Sequence, residues 1–450
     1  MRNNLRLCRR GVALGIAFGT SLILWTSFAV PAQKLSDFRL SMVTMLENSE
    51  GRETQQMTTN PQNFCRQISW QGREAFLLGN GVVQLTHLTG GGHIAEFRFS
   101  DSSGAPTLNP LWIPSWKTKD PQDYQPSQDA EKFGPPVEGR MLAGIAGHNL
   151  CLDYFGVPSE EEGRQGLSIH GEAPNLRWQK KSMSQADREV SLTLSVDLPV
   201  AGLEFSREVK LQGSESVVYF KETVRNKNKA DHFFHWQQHV TLGSPFLSPQ
   251  QCRIAIPGTQ GQTHPGGYGG KELLKSSADF RWPYAPGQRG KKTDLRIPLA
   301  QPGRGFVATV LIDPRREMGY VVAVNYQQRL LIGYLFRRAD FPWVAIWEEN
   351  KARDAAPWLG REQTRGLEFG STALPLVRRD TFSLGPLFDT PTHAMVPACG
   401  EKTIRYVGFL AQVPPDFGPV RDITMSKNQL VVHGKKNSLV SIEAGGMAEW

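Results

Sequence analysis

Helical periodicity is nearly missing from this 450-residue sequence. Apolar residues recur at three- and four-residue spacing only between Leu35 and Leu46, where one short helix is expected. A helical bundle is therefore excluded, and no internal repeat of propeller or solenoid period is present. After Val30 no apolar run is long enough to span a bilayer, which excludes a polytopic membrane protein. Basic residues form no long block. The densest cluster beyond the N-terminus is Arg289-Gly-Lys-Lys292, so nucleic acid is not an expected partner. Cysteine is sparse, and its wide spacing fits neither a zinc knuckle nor a CxxC redox pair.

What is present is turn-forming and strand-forming. With 44 Gly, 30 Pro, 10% aromatic and only 21% charged residues, the composition leans to an all-β chain with many turns. Val190, Leu192, Leu194, Val196 and Leu198 alternate with polar residues, and looser alternation continues through Leu203–Leu211 and Val218–Val224. Residues 188–226 read as an antiparallel meander. Further strands are expected over Arg304–Ile312, Tyr320–Tyr326, Arg329–Phe336, Trp343–Trp347 and Ile404–Val413, with a last hairpin over Leu430–His433 and Ser438–Ile442. Three irregular stretches interrupt them: Asp101–Arg140, Val157–Gly166 and Pro257–Lys292. The best architectural reading is a large antiparallel β-sandwich whose long loops carry the binding site.

The first 32 residues read as a secretory signal: Arg2, Arg6, Arg9 and Arg10, an apolar run from Gly11 to Val30, and small residues at Val30-Pro31-Ala32. An uncleaved anchor is the alternative, and the Arg9-Arg10 pair would also suit a twin-arginine route. Cleavage would lower the net charge from +8 to +4, because the segment carries four Arg and no acid. A secreted or periplasmic location is expected, with no membrane contact after cleavage. In that oxidising setting Cys65, Cys151, Cys252 and Cys399 could form two disulfides, with three connectivities open. The expected organisation is a signal at 1–32, a linker at 33–67, a sandwich at 68–415 and a β-hairpin extension at 416–450.

Four segments concentrate ionisable and aromatic residues: Leu167-Ser-Ile-His170-Gly-Glu-Ala173, Phe233–Gly243, Pro342–Glu349 and Thr364–Gly370. A metal site at His232, His235 and His239 would need a helix. On a strand rising roughly 3.3 Å per residue, His235 and His239 stand about 13 Å apart and His232 points to the opposite face. No metal and no cofactor is expected.

The order of these segments resembles the aldose 1-epimerase, or galactose mutarotase-like, superfamily. In that family a His-Gly turn comes first, a second His follows about seventy residues later on a strand, and a Glu follows a Pro-aromatic strand near the C-terminus. Here His170-Gly171, His239-Val-Thr-Leu242 and Pro342-Trp-Val-Ala-Ile-Trp347 with Leu367-Glu368 occupy those places, and Gly90-Gly-Gly-His-Ile94 is similar to the family's opening hairpin turn. The likeness covers roughly Ile68 to Val413. This chain departs from the family where an aromatic and an Asn normally follow the second His, and Gly147-His148-Asn149-Leu150 replaces an Arg-containing motif, so a diverged specificity is expected.

The resemblance implies a galactose mutarotase-like supersandwich and interconversion of the anomers of a hexose or related sugar. It implies Glu368 as base and His239 as acid, with His170 holding a hydroxyl or sharing the acid role. A carboxylate and an imidazole suit this chemistry because each can give or take a proton near neutral pH. Trp343 and Trp347 share a strand face and Trp236 lies near His239, so their indoles are candidates for stacking on a pyranose or for filling the core. Glu348, Glu349, His148, Asn149 and Glu172 are further candidates for sugar hydroxyls. Two other readings stay open: a secreted carbohydrate-binding protein without turnover, and a polysaccharide lyase or hydrolase using Glu368 with Glu348 or Glu349. A carbohydrate is the expected partner in all three; oligomeric state is not legible.

Overall fold

The computed structural model describes residues 63–449. The signal segment and the Leu35–Leu46 helix expected from sequence lie outside them. The strands fall into two large antiparallel sheets and one small sheet. The first sheet has fourteen strands, and its centre runs His148–Asp153, His232–Gly243, Gln363–Gly370, Trp343–Asn350, Arg304–Ile312 in spatial order. The second has eight, and it contains the expected meander as Glu189–Leu198, Leu203–Gln212 and Val217–Asn226.

The meander forms because its residues alternate: Leu203–Gln212 is buried at every second position, so one face of the strand turns inward. In the central strands of the first sheet both faces are covered, and alternation is replaced by near-continuous burial, as in Trp343–Asn350 and Gln363–Gly370. One face meets the second sheet in a continuous apolar core that includes Leu150, Trp236, Val240, Val344, Ile346, Leu367 and Phe369.

A polar cluster sits inside that core. The Glu222 carboxylate accepts from Arg207 Nε (2.7 Å), Trp236 Nε1 (3.1 Å), Gln238 Nε2 (2.6 Å) and the Tyr406 hydroxyl (2.8 Å). Gln238 Oε1 in turn accepts from His148 Nε2 at 3.0 Å. Glu222 and Arg207 come from the second sheet and Trp236, Gln238 and His148 from the first, so the network fastens the two layers.

The stretches expected to be irregular carry short elements. Pro126–Phe133 and Pro136–Gly144 are helices that each start on a proline, which is preset for a first helical turn. At eight and nine residues they are too short to show a helical period in sequence. Residues 258–286 add Gly258–Thr263, Asp279–Arg281 and Tyr284–Pro286 to the first sheet. The first strand starts at Asn63, inside the expected linker, and the terminal hairpin gains a third strand, Asp422–Ser426. The expected disulfides do not form: Cys65, Cys151 and Cys252 are separately buried free thiols and Cys399 is an exposed one. Among the described residues no helix is long and apolar enough to cross a membrane.

Replacing Glu222 by Leu would leave the Arg207 guanidinium buried without a counter-charge. A loss of about 3–5 kcal/mol is expected, measurable by urea unfolding, and Arg207→Met should recover part of it in the double variant.

Candidate functional site

Register decides which of the sequence candidates can meet. Residues paired across antiparallel strands share a face of the sheet. One such row reads Asn149, His239, Glu368, Ala345, Thr309 across five neighbouring strands. It lies on the face turned away from the second sheet. His239 Nε2 stands 3.1 Å from Glu368 Oε1, and both side chains are almost fully buried. The approach is close, but its angle leaves Glu368 Oε1 without a formed hydrogen bond.

His170 reaches the same place from a loop. It adopts φ +67°, and Gly171 follows with φ +81°, where a Cβ would come within 2.1 Å of the Leu152 carbonyl. This turn directs the ring towards His239, at a centroid separation of 5.1 Å. His170 Nδ1–H donates to the Phe155 carbonyl at 2.7 Å, which leaves Nε2 as a lone-pair acceptor. His239 Nδ1 is 3.0 Å from the Thr241 hydroxyl.

The three side chains line a narrow cleft of about 110 Å³. Trp347 and Trp358 form one wall at a centroid distance of 5.9 Å, and the Pro136–Gly144 helix supplies Glu138, Met141 and Leu142. The Arg353 guanidinium lies over the rings of Trp358 (4.8 Å), Tyr268 (5.3 Å) and Trp347 (5.7 Å). Three residues of the same sheet row carry buried polar atoms without partners, Asn149 Nδ2, Glu368 Oε1 and Thr309 Oγ1, and of these Glu368 lines the cleft. Buried polar atoms left open in this way cost free energy unless water or a ligand meets them.

Burial sets the protonation states. Loss of hydration pushes the Glu368 carboxyl well above the usual carboxylate range. The same desolvation, aided by His170, holds His239 well below an ordinary imidazole, and burial brings His170 down to about 4. At neutral pH the Glu368–His239 pair is thus favoured with one proton between its two members and no net charge.

Several sequence candidates are placed elsewhere. His148, Trp236 and Glu348 sit on the opposite face, inside the core: His148 and Trp236 belong to the Glu222 network, and Glu348 pairs with Arg365 Nε at 2.8 Å while accepting from Leu299 N–H. The reason is parity, since each is an odd number of positions from a cleft-facing residue on its own strand. Trp343 does share the face of Trp347, but it packs a full four residues away against Leu311, Ala373 and Leu374 and donates to the Pro391 carbonyl. Glu172 accepts from the Val200 and Ala201 amides, tying down a turn. Glu349 stands behind the aromatic wall, where it accepts from Tyr268 OH at 2.6 Å, which itself accepts from Trp347 Nε1 at 2.9 Å. Asn149 flanks His239 on the sheet floor but is fully buried. His232, His235 and His239 do lie on a strand; His232 is engaged by Asp153 at 2.8 Å and His235 accepts from the Phe155 amide.

Sequence reasoning passed over Arg353, Trp358 and Glu138. None belongs to a motif, and the cleft reaches them through a loop and a short helix. The run Pro357-Trp358 beside Trp347 was the one available signal.

No protein-family model and no curated protein matches the sequence. Solved structures do. A candidate aldose 1-epimerase from Klebsiella pneumoniae aligns with 77% of this chain and 83% of its own at 12% identity and a TM-score of 0.56. The fold is galactose mutarotase-like. A galactose mutarotase-like protein from Clostridium acetobutylicum agrees, with 78% of this chain and 100% of its own covered, 12% identity and a TM-score of 0.53. At that identity the likeness to mutarotase-like proteins speaks for architecture, and chemistry has to be argued from the site itself.

An NMR titration of the imidazoles tests the burial argument: His170 should change state near pH 4 instead of near 6.5. Its folded value is depressed, so the unfolded chain binds the extra proton first. Stability is therefore full above pH 6.5 and is lost as pH falls towards 4, by on the order of 3 kcal/mol for this one group. A His170→Gln variant should show a shallower acid limb in urea unfolding.

Proposed function

We propose that this chain interconverts the anomers of a hexose or related sugar by acid–base ring opening. The observation that carries the reading is the buried Glu368–His239 pair, 3.1 Å apart in an aromatic-walled cleft beside the free Nε2 of His170.

Ring opening needs one proton removed from the C1 hydroxyl and one delivered to the ring oxygen. A pair holding one mobile proton does both: one member takes the hydroxyl proton while the other gives its own, and the proton count of the site is unchanged. After rotation about C1–C2 the aldehyde closes with the two roles exchanged, which yields the other anomer. With Glu368 ionised it is the base and His239 or His170 the acid; with Glu368 protonated the imidazoles take the proton first. The low polarity of the site disfavours charge on either group and so favours the second arrangement, with Glu368 protonated and the imidazoles neutral, as the resting state. Trp347 and Trp358 offer indole faces to the apolar side of a pyranose. The long side chains of Glu138, Met141 and Arg353 border the narrow entrance, and the sugar enters by displacing them.

A reading without turnover, carbohydrate binding alone, draws on one observation: Arg353 already covers the aromatic faces on which a sugar would stack. The hydrolase reading finds no support in Glu348 or Glu349, whose carboxylates are engaged in the core and behind the wall.

Exchange NMR between α and β anomers of several hexoses should show acceleration by the purified chain. Glu368→Gln should lower it by about a hundredfold or more, in line with the usual worth of a general acid–base group, while sugar binding persists. Binding without any exchange in the parent protein would select the non-catalytic reading.

A further inference from the structure

A second cavity, of about 520 Å³, opens where three parts of the fold meet. Its walls are the Cys252–Ala255 edge strand of the second sheet, residues Asp294 to Ile297, and the segment leading into the C-terminal sheet at Asp422. It shares no lining residue with the His170–Glu368 cleft, and its size is that of small-molecule sites.

Its charges do not cancel. Each acidic residue of the lining is already paired with arginine: Asp294 with Arg296 (2.6 Å), Asp422 with Arg316 (2.6 Å) and Asp313 with Arg315 (2.7 Å). The lining holds four arginines against three aspartates, and two of the four are in no ion pair. Arg253 engages only Nη1, on the Pro249 and Cys252 carbonyls. Arg421 is exposed, and among the described residues neither it nor Arg253 has a carboxylate within ion-pair distance. The lining also holds apolar side chains, Ile254, Ile256 and the half-buried indole of Trp282.

A pair of guanidiniums outside any ion pair, with Arg253 near enough to Asp294 to feel its charge, in a concave, partly apolar setting selects an oxyanion, because the planar fork matches carboxylate and phosphate oxygens and the walls focus the field. An indole beside it accepts the apolar face of a ring. We propose that this cavity is a second binding site, for a small sugar carrying a carboxylate or a phosphate, with the oxyanion between Arg253 and Arg421 and the ring against Trp282. The proposal does not rest on the anomer-exchange reading of the first cleft.

Titration calorimetry of the purified chain with glucuronate, glucose 6-phosphate and glucose tests it, and the two anions distinguish carboxylate from phosphate as the preferred group. At least one anion should bind, more weakly as salt is raised, and glucose should not match it. The Arg253→Gln/Arg421→Gln double variant should weaken that binding by at least about tenfold, the worth of one charge-assisted hydrogen bond, while Arg253→Lys/Arg421→Lys retains part of it and anomer exchange is unchanged. No binding of either anion, equal binding of glucose, or full affinity in the Gln double variant overturns the proposal. Binding that survives in that variant and is lost in Glu368→Gln instead puts the anion in the first cleft and overturns it equally.

Discussion

The Glu222 carboxylate, buried between the sheets and surrounded by donors from Arg207, Trp236, Gln238 and Tyr406, is the interaction on which the site depends. A charge in that position is tolerated only when each of its lone pairs is met, so the donors must come together from both layers in one register. Gln238 and His239 are consecutive on one strand and project to opposite faces. Holding Gln238 against Glu222 therefore fixes where His239 stands on the outer face. A slip of one residue would send the imidazole into the core and the amide into the cleft.

The outer face follows a different logic. There the sheet carries polar atoms that the protein does not satisfy, at Asn149, Glu368 and Thr309 in a single row, with Glu368 in the aromatic-walled cleft. The inner network has its hydrogen bonds made and specifies structure. The outer row is left open, and openness of this kind is where a protein puts recognition or chemistry. The same burial that leaves these atoms open shifts the protonation of Glu368 and the two imidazoles away from their ordinary ranges.

Much of the architecture was legible because period-two alternation survives wherever one face of a strand is wet. Arg304–Ile312 has the expected bounds, and the 188–226 meander is found as three paired strands. The helices at 126–144 were not legible, because two turns are too few to establish a period. Within the site, His170, His239 and Glu368 were found by their order along the chain, and the structure brings them together. Neighbouring candidates are placed elsewhere for different reasons: parity turns Glu348 into the core, whereas Glu349 shares the face of Trp347 but is engaged by Tyr268 behind the cleft wall. In strands buried on both faces the inward and outward positions are equally apolar, so sequence offers no sign of which is which. Trp358 and Arg353 come from a loop, where no periodicity applies.

The small C-terminal sheet has a consequence of its own. Ile423, Leu430, Val432 and Ile442 cover Tyr320, Val322, Leu331 and Phe409 on the outer side of the second sheet. A chain ending before these strands would keep its two large layers but turn a contiguous oily surface to water, of the kind that drives molecules to stick to one another. The last three strands thus act as a built-in jacket: their contribution is to solubility as much as to folding.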